Sequence, residues 1–427
     1  MIKKPFFGLR KPKLKYPVED TIKLDSINEI PLPLRVTLLS DNNERSDDVD
    51  LKVGDKVKTG QLLGLSEKDG DYLISTVTGT ISEISQYTGY FGKTCASISI
   101  NAETEDQWDE EFIKAVKAPA SKNCVKFLRR LPGAPSLSSV LSNESSVKTI
   151  IINGIDKDLL TVTNQLIVKT GVESLTEGVR YLKQITNTDR IIIIVPPDLT
   201  YQAEKTGAEV RVVKPLYPNT LPHIQMKNIM GITVPPGKSF EEMGVCFISA
   251  EAVTALARVF NSQEFPIYKR LTVINKDSRT FNVRARIGTP VKDILNTLDI
   301  ETIHGDRLIM GGPMTGNAIY SDEMPVLPDT DAIMVQDKDQ IIQSSDTHCI
   351  NCGECIRVCP AKIPVNMLIR LLENDMFEEA AEEYDLLSCV ECGLCSYVCM
   401  ARIPILHYIM LGKHELSQLK MLEESSE

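Results

Sequence analysis

Apolar and polar residues alternate through much of the first hundred positions, and later the pattern changes to apolar runs separated by stretches with helical period. In Val53-Gly54-Asp55-Lys56-Val57-Lys58-Thr59-Gly60-Gln61-Leu62-Leu63-Gly64 and Val77-Thr78-Gly79-Thr80-Ile81, alternation broken by Gly-Asp turns predicts the short strands of a small β-sandwich. From about residue 145 the order is a strand (Lys148–Ile152), two helical stretches (Asp158–Val168 and Glu173–Ile185), a buried strand (Arg190–Val195) and a shorter strand near Val210–Val213. Strands alternating with helices predict a parallel α/β layer, and such a sheet places ligands at the carboxyl ends of its strands, here residues 153–158. Phe247–Phe260 reads as an amphipathic helix. Leu271–Asn275 and Phe281–Arg286 read as strands around Lys276-Asp277-Ser278, and Gly288-Thr289-Pro290 then opens a helix over Val291–Leu298, the order of a small β-grasp unit. Near the C-terminus, Val365–Glu373 and Met376–Leu387 read as helices, with Asp375 and Glu378 as a capping-box-like start for the second.

These patterns predict a multidomain α/β protein. Its expected parts are an extended arm (1–30), a β-sandwich hybrid domain (31–115), an α/β domain (116–262), a β-grasp unit with a glycine loop (263–345), a helical C-terminal module (346–412) and an acidic tail (413–427). The sandwich pattern is similar to biotinyl and lipoyl carrier domains. Lys68 falls about where a carrier would bear its lysine, but its neighbours read as an ordinary turn. With 427 residues, several domains are expected. Forty-seven basic residues against 58 acidic ones give −11, which argues against nucleic acid or an anionic membrane surface as the main partner. No apolar run approaches the roughly 20 residues of a membrane helix, so any membrane association is expected to come through other subunits.

Cysteine changes this picture most. Eight of the eleven cysteines form two runs, Cys349-Ile-Asn-Cys352-Gly-Glu-Cys355-Ile-Arg-Val-Cys359 and Cys389-Val-Glu-Cys392-Gly-Leu-Cys395-Ser-Tyr-Val-Cys399. Each reads C-x2-C-x2-C-x3-C, the spacing that wraps three thiolates around one iron-sulfur cube and sends the fourth to its neighbour. A zinc site calls for two separated pairs, which neither run supplies, and cysteines this close together suit metal better than disulfides. The ligand sets are therefore expected to cross: Cys349, Cys352, Cys355 and Cys399 on one [4Fe-4S] cluster, and Cys389, Cys392, Cys395 and Cys359 on the other. The runs repeat at an offset of 40 residues, and the repeat continues from Ala361-Lys362-Ile363-Pro364 to Ala401-Arg402-Ile403-Pro404, with Met400 where the first copy has Pro360. Lys362 and Arg402, one beside each cluster, read equally well as charge-balancing groups or as surface residues. His348 reads as a solvated histidine, and Cys95, Cys124 and Cys246 as buried structural thiols.

The last hundred residues, together with Gly311-Gly312-Pro313-Met314-Thr315-Gly316, resemble the C subunit of Rnf ion-translocating electron transport complexes. The order of the remaining units, including Ile151-Ile152-Asn153-Gly154, is similar nearly end to end, and also resembles the A subunit of the Na⁺-pumping NADH:quinone reductase, which lacks such clusters. The resemblance implies a peripheral subunit on the cytoplasmic side of the membrane, attached through the membrane subunits of a translocase complex. It also implies FMN and NADH, bound in typical members with a G-G-A-G-F-P-T loop, an E-C-E-P-Y segment and a Y-P-x-G-G-E-K stretch. Here those regions read Leu131-Pro132-Gly133-Ala134-Pro135-Ser136-Leu137, Asp156-Lys157-Asp158-Leu159-Leu160 and Tyr217-Pro218-Asn219-Thr220-Leu221-Pro222-His223. A phosphate-binding loop needs amide donors and positions without a Cβ, and prolines with a single glycine supply neither. NADH binding is therefore not expected, and FMN is left open. The redox partner is then a ferredoxin, an iron-sulfur subunit or a cytochrome. Candidate cofactor-facing residues are Gly311, Gly312, Gly316, Asp156 and Asp158, the loop reading equally as a turn between domains; no catalytic residue is assigned. The alternative keeps flavin and NADH in a divergent site around Gly133, Asp156 and Asp158.

Overall fold

A computed structural model describes residues 12–17, 27–40, 51–64, 72–89, 92, 94–117, 122–133, 137–141, 146–186, 188–345 and 347–426. Lys68 lies outside these residues, as do most of the N-terminal arm and residues 134–136 of the stretch after Gly133. Strand β1 (Asn28–Glu29) belongs to a later sheet. Strands β2 (Arg35–Leu39), β3 (Lys56–Val57), β4 (Leu62–Gly64), β5 (Tyr72–Ile74), β6 (Gly79–Thr88) and β7 (Thr94–Ala102) form an antiparallel sheet in the order β2-β7-β6-β3 and a β4-β5 ribbon. Alternate residues point inward, so Val36, Leu38, Ile81, Ile98 and Ile100 share one core.

Helices α1 (Glu110–Val116), α2 (Lys122–Leu128) and α3 (Leu137–Val140) lead into the α/β layer, where β8 (Thr149–Asn153), β9 (Arg190–Val195), β10 (Glu209–Val212) and β11 (Val245–Ser249) run parallel in the order β10-β9-β8-β11. Ile150, Ile152, Ile193 and Val195 face α4 (Thr163–Thr170), α5 (Val172–Ile185) and α8 (Ala250–Ser262), and Ile151, Ile192, Ile194 and Phe247 face the other way. Burial on both faces is why these strands read as unbroken apolar runs. Between them lie α6 (Thr200–Glu204) and α7 (Pro222–Gln225). At Gly178 a Cβ would stand 2.2 Å from the Val253 carbonyl oxygen, so glycine lets α5 and α8 pack closely.

Two helix expectations change here. The stretch expected to be helical from Asp158 becomes helical only at Thr163, because Leu160 takes a left-handed φ of 63° and Asp156 reaches forward to the helix start. The stretch expected to be helical from Phe247 begins as strand β11, and Ser249, whose Oγ accepts from the Ala252 amide, starts α8.

A six-stranded mixed sheet follows, ordered β1-β13-β12-β16-β14-β15, from β12 (Tyr268–Ile274), β13 (Thr280–Arg286), β14 (Arg307–Met310), β15 (Asn317–Ile319) and β16 (Ala332–Gln336), with α9 (Val291–Thr297) packed on it through Val291, Ile294 and Leu295. The C-terminal module is helical: α10 (Glu354–Val358), α11 (Val365–Leu372), α12 (Phe377–Glu382), α13 (Leu394–Val398) and α14 (Ile405–Ser426). Asp375 is left-handed (φ 57°) and no side chain caps α12, so the expected capping box does not form. Instead of ending in a separate acidic tail, the chain continues as α14, whose Leu406, Ile409 and Leu416 are buried.

Candidate metal centre

The offset of 40 residues is preserved in the backbone. Asn351 and Glu391 (φ 55° and 52°), Gly353 and Gly393 (73° and 69°), and Lys362 and Arg402 (60° and 58°) are paired left-handed positions. The Arg357 and Tyr397 amides donate to Gly353 and Gly393, and the Cys359 and Cys399 amides to Ile356 and Ser396. Each copy thus places three cysteines around a glycine turn and a short helix, and turns the fourth away toward its neighbour.

The two copies place their cysteines close to one another. Cys349, Cys352, Cys355 and Cys399 line one pocket, closed by Ile369, Ile403 and Ile405. Burial pushes the Cys355 thiol up to about 11, and neighbouring Cys349 and Cys352 add to the effect. In the other set burial pushes Cys392 up to about 12, with Cys389 and Cys359 raising it further. Cys395 is raised in the same way, and one of its neighbours is Cys355 of the first set, so the two sites abut. Among the described residues no three metal-ligating side chains converge as closely as a single ion requires. Both sets sit among apolar residues and crowd thiols together, which disfavours free thiolates. A cationic metal core is the group that would hold them deprotonated, so the donor set fits iron-sulfur clusters.

The two sets differ in surroundings. Cys352 is exposed and Cys349 half-buried, with Ile350 and His348 exposed beside them. Cys392 and Cys395 are buried, and Cys392, Leu394 and Val398 pack with Ile151, Ile192, Ile194 and Phe247 on one face of the α/β sheet. Tyr217 donates its hydroxyl to the Cys392 carbonyl at 2.6 Å, and its ring meets that of Tyr16 at a tilt of 47°, with centroids 5.8 Å apart. Lys413 of α14 donates to the Cys389 carbonyl and to Glu391, each at 2.7 Å, and partly offsets the burial that raises the Cys389 thiol. Lys362 and Arg402 are both exposed.

The candidate cofactor residues occupy defined places around the second set. Asp156 is fully buried and accepts from the backbone and side-chain nitrogens of Asn164 and Gln165; burial pushes its carboxyl up to about 6. Asp158 accepts from the Met314 amide (3.1 Å), the Thr315 amide (2.7 Å) and the Thr315 hydroxyl (2.7 Å), so it clasps the glycine loop. Glycine is needed at Gly312, where a Cβ would lie 2.5 Å from Asp158 Cγ, and at Gly393, where one would lie 2.4 Å from the Met314 oxygen. Gly311 and Gly316 touch each other at the loop's neck. The loop is thus a shim between the end of β8 and the Cys392-Gly393 turn. Asp158→Asn leaves two or three donors without a full acceptor. It is expected to destabilise the protein by about 2–3 kcal/mol in urea unfolding and to change the electron paramagnetic resonance signal of the second cluster while sparing the first.

Several of these residues are silent in the sequence. Lys413, Tyr217 and Met314 act through contacts distant in the chain. Of the lone thiols, Cys124 and Cys246 are buried, whereas Cys95 is half-buried, with its Sγ 3.7 Å from the Tyr87 carbonyl oxygen.

The 4Fe-4S dicluster domain family matches residues 341–400, which hold all eight cysteines. Most of the chain is similar to the C subunits of ion-translocating complexes. It is 25% identical over 368 residues to the C subunit of the proton-translocating ferredoxin:NAD(+) oxidoreductase complex of Clostridium ljungdahlii, covering 78% of this chain and 77% of that one. It is 26% identical to the C subunit of the ion-translocating oxidoreductase complex of Pasteurella multocida and 25% to that of Klebsiella pneumoniae, covering 79% and 83% of this chain. The chain spans 43% and 50% of those two longer relatives. Among solved structures, an NAD+-reducing [NiFe]-hydrogenase in the H2-reduced state shares 13% identity over 69% of this chain and 62% of its own, at a TM-score of 0.45.

Proposed function

We propose that the chain is the peripheral electron-transfer subunit of an Rnf- or Nqr-like ion-translocating oxidoreductase complex, and that it relays single electrons through two [4Fe-4S] clusters without binding NADH. Cys349, Cys352, Cys355 and Cys399 would hold one cluster, and Cys389, Cys392, Cys395 and Cys359 the other. Bound there, the clusters supply reversible one-electron transfer. The observation that carries this reading is the convergence of the crossed first set on one pocket, beside an abutting second set.

The chain's own residues orient and insulate the sites. Ile369, Ile403 and Ile405 close the first, and the α/β sheet and the Asp158-clasped loop cover the second. The exposed Cys352 side is the port toward a partner, and the covered side limits leakage to solvent. The reading without NADH is supported by the two acidic residues being engaged internally, Asp156 at the start of α4 and Asp158 by the glycine loop. No described helix is long and apolar enough to cross a membrane, and a location on the cytoplasmic side through membrane subunits belongs to this proposal. So do the division into a carrier-like β-sandwich, an α/β domain, a β-grasp unit and the dicluster module, and a ferredoxin, iron-sulfur subunit or cytochrome as redox partner.

Affinity purification from gently solubilised native membranes tests the assignment. The chain is expected to elute with integral membrane subunits of a translocase. Recovery of the chain alone, under conditions that keep other membrane complexes whole, counts against it.

A further inference from the structure

We propose a second, unrelated site: a pocket between α8 and the six-stranded sheet, lined by Arg258, Arg270 and Arg284, that binds a small phosphate-bearing anion. The cavity has a volume of about 210 Å³ and is also bordered by Tyr268, Asn261 and Ser174. None of the cluster cysteines borders it, nor do Asp156, Asp158 or the glycine loop. Of the stretches that resemble flavin- and NADH-binding segments, only Pro132 reaches it.

The charge arrangement is the main argument. Arg270 of β12 and Arg284 of β13 are direct cross-strand partners, a placement in which like charges are destabilising. Arg258 projects from α8 into the same space. Burial and the neighbouring guanidiniums hold Arg258 and Arg270 below the ordinary arginine range. Glu251 also borders the cavity, and Glu264 acts on Arg258, but among the described residues neither forms an ion pair with the three arginines. Glu251 is engaged by Lys269 and by the Arg270 amide, and Glu29 pairs with Arg284 alone, at 3.1 Å. Among the described residues neither Arg258 nor Arg270 forms an ion pair. Three converging guanidiniums share a single direct carboxylate partner, Glu29 on Arg284, and they repel one another until an anion enters.

Chemistry and size select the ligand class. Guanidinium forks bind tetrahedral oxyanions through paired, charge-assisted hydrogen bonds. The start of α5 at Gly171, which no side chain caps, opens on the same cavity beside Ser174 and adds backbone donors. At about 210 Å³ the space lies below the roughly 300–1,000 Å³ of pockets for drug-sized ligands, so it suits pyrophosphate or a small phosphate ester and excludes a whole dinucleotide.

Isothermal titration of the cluster-loaded full chain with sodium pyrophosphate tests this, with sodium sulfate and sodium chloride at matched ionic strength as controls. Saturable binding of pyrophosphate is expected, with the affinity falling at least tenfold in Arg258→Gln. Arg258 lies at the rim of the cavity with part of its side chain open to solvent, so this variant should fold, and relief of repulsion should raise its melting temperature in the absence of anion. A purely structural arginine would lower that temperature. Heats from pyrophosphate no larger than those from chloride, or undiminished affinity in Arg258→Gln, would overturn the proposal.

Discussion

Combining Cys352→Ser with Cys399→Ser is expected to remove one cluster and leave about half the bound iron, whereas combining Cys352→Ser with Cys359→Ser is expected to remove both clusters. The contrast follows from the crossed ligand sets. Cys352 and Cys399 line the same pocket, so losing the second adds little once the first is gone. Cys359 sits with Cys389 and Cys392 instead, so its loss reaches the other site. Had each run held its own cluster, the two double variants would exchange outcomes. Iron and sulfide analysis of the reconstituted proteins reads the difference directly, and the single variants give the baseline for each cluster. Because the clusters help hold α10, α11, α13 and α14 together, the iron-free double variant is also expected to lose helical signal in circular dichroism.

The second large effect lies outside the metal centre. Lys269 is fully buried at the junction of the α/β layer and the six-stranded sheet, with its ammonium on Glu251 and 3.3 Å from Asp331. Burial works against its charge, yet the two carboxylates outweigh burial and hold it protonated above the usual lysine range. Lys269→Met would strand the Glu251 carboxylate, which is 5% exposed, and breaking a buried pair in this way costs about 3–5 kcal/mol. The expected result is a large drop in the urea midpoint of the unit containing α8 and β12. The double variant Lys269→Met with Glu251→Gln should recover part of the loss, since it removes the stranded charge. An unchanged midpoint in the single variant would mean that the junction is held by its apolar contacts alone.

Much of the centre was legible because cluster ligation is local. The C-x2-C-x2-C-x3-C spacing encodes a turn and a short helix, and the offset copy repeats both. The two glycines, Gly353 and Gly393, mark backbone that must be left-handed. The parallel layer was legible too, since Ile191–Val195 and Thr149–Asn153 are apolar without alternation, as strands buried on both faces must be. Boundaries failed where periodicity is ambiguous. Val245–Ile248 is a short apolar run that suits a strand or the first turn of a helix, and pairing with β8 decides for the strand. The acidic C-terminus looked like a tail because of its charge. Ile405, Ile409 and Leu416 recur at helical spacing, however, and pack against α11 and α12, with Gly412 admitting Leu372. Lys413 lies on that helix and was missed with it. The role of Asp158 was hidden for a different reason: its partners stand 156 and 157 residues away, and no local pattern encodes that contact.

Anaerobic reduction of the reconstituted chain, followed by the visible absorbance of its iron-sulfur centres, tests the central claim most directly. NADH alone should leave the absorbance unchanged, while reduced ferredoxin, in substoichiometric amounts, should bleach it in one-electron steps. Bleaching by NADH at a rate matching that of ferredoxin would contradict the account.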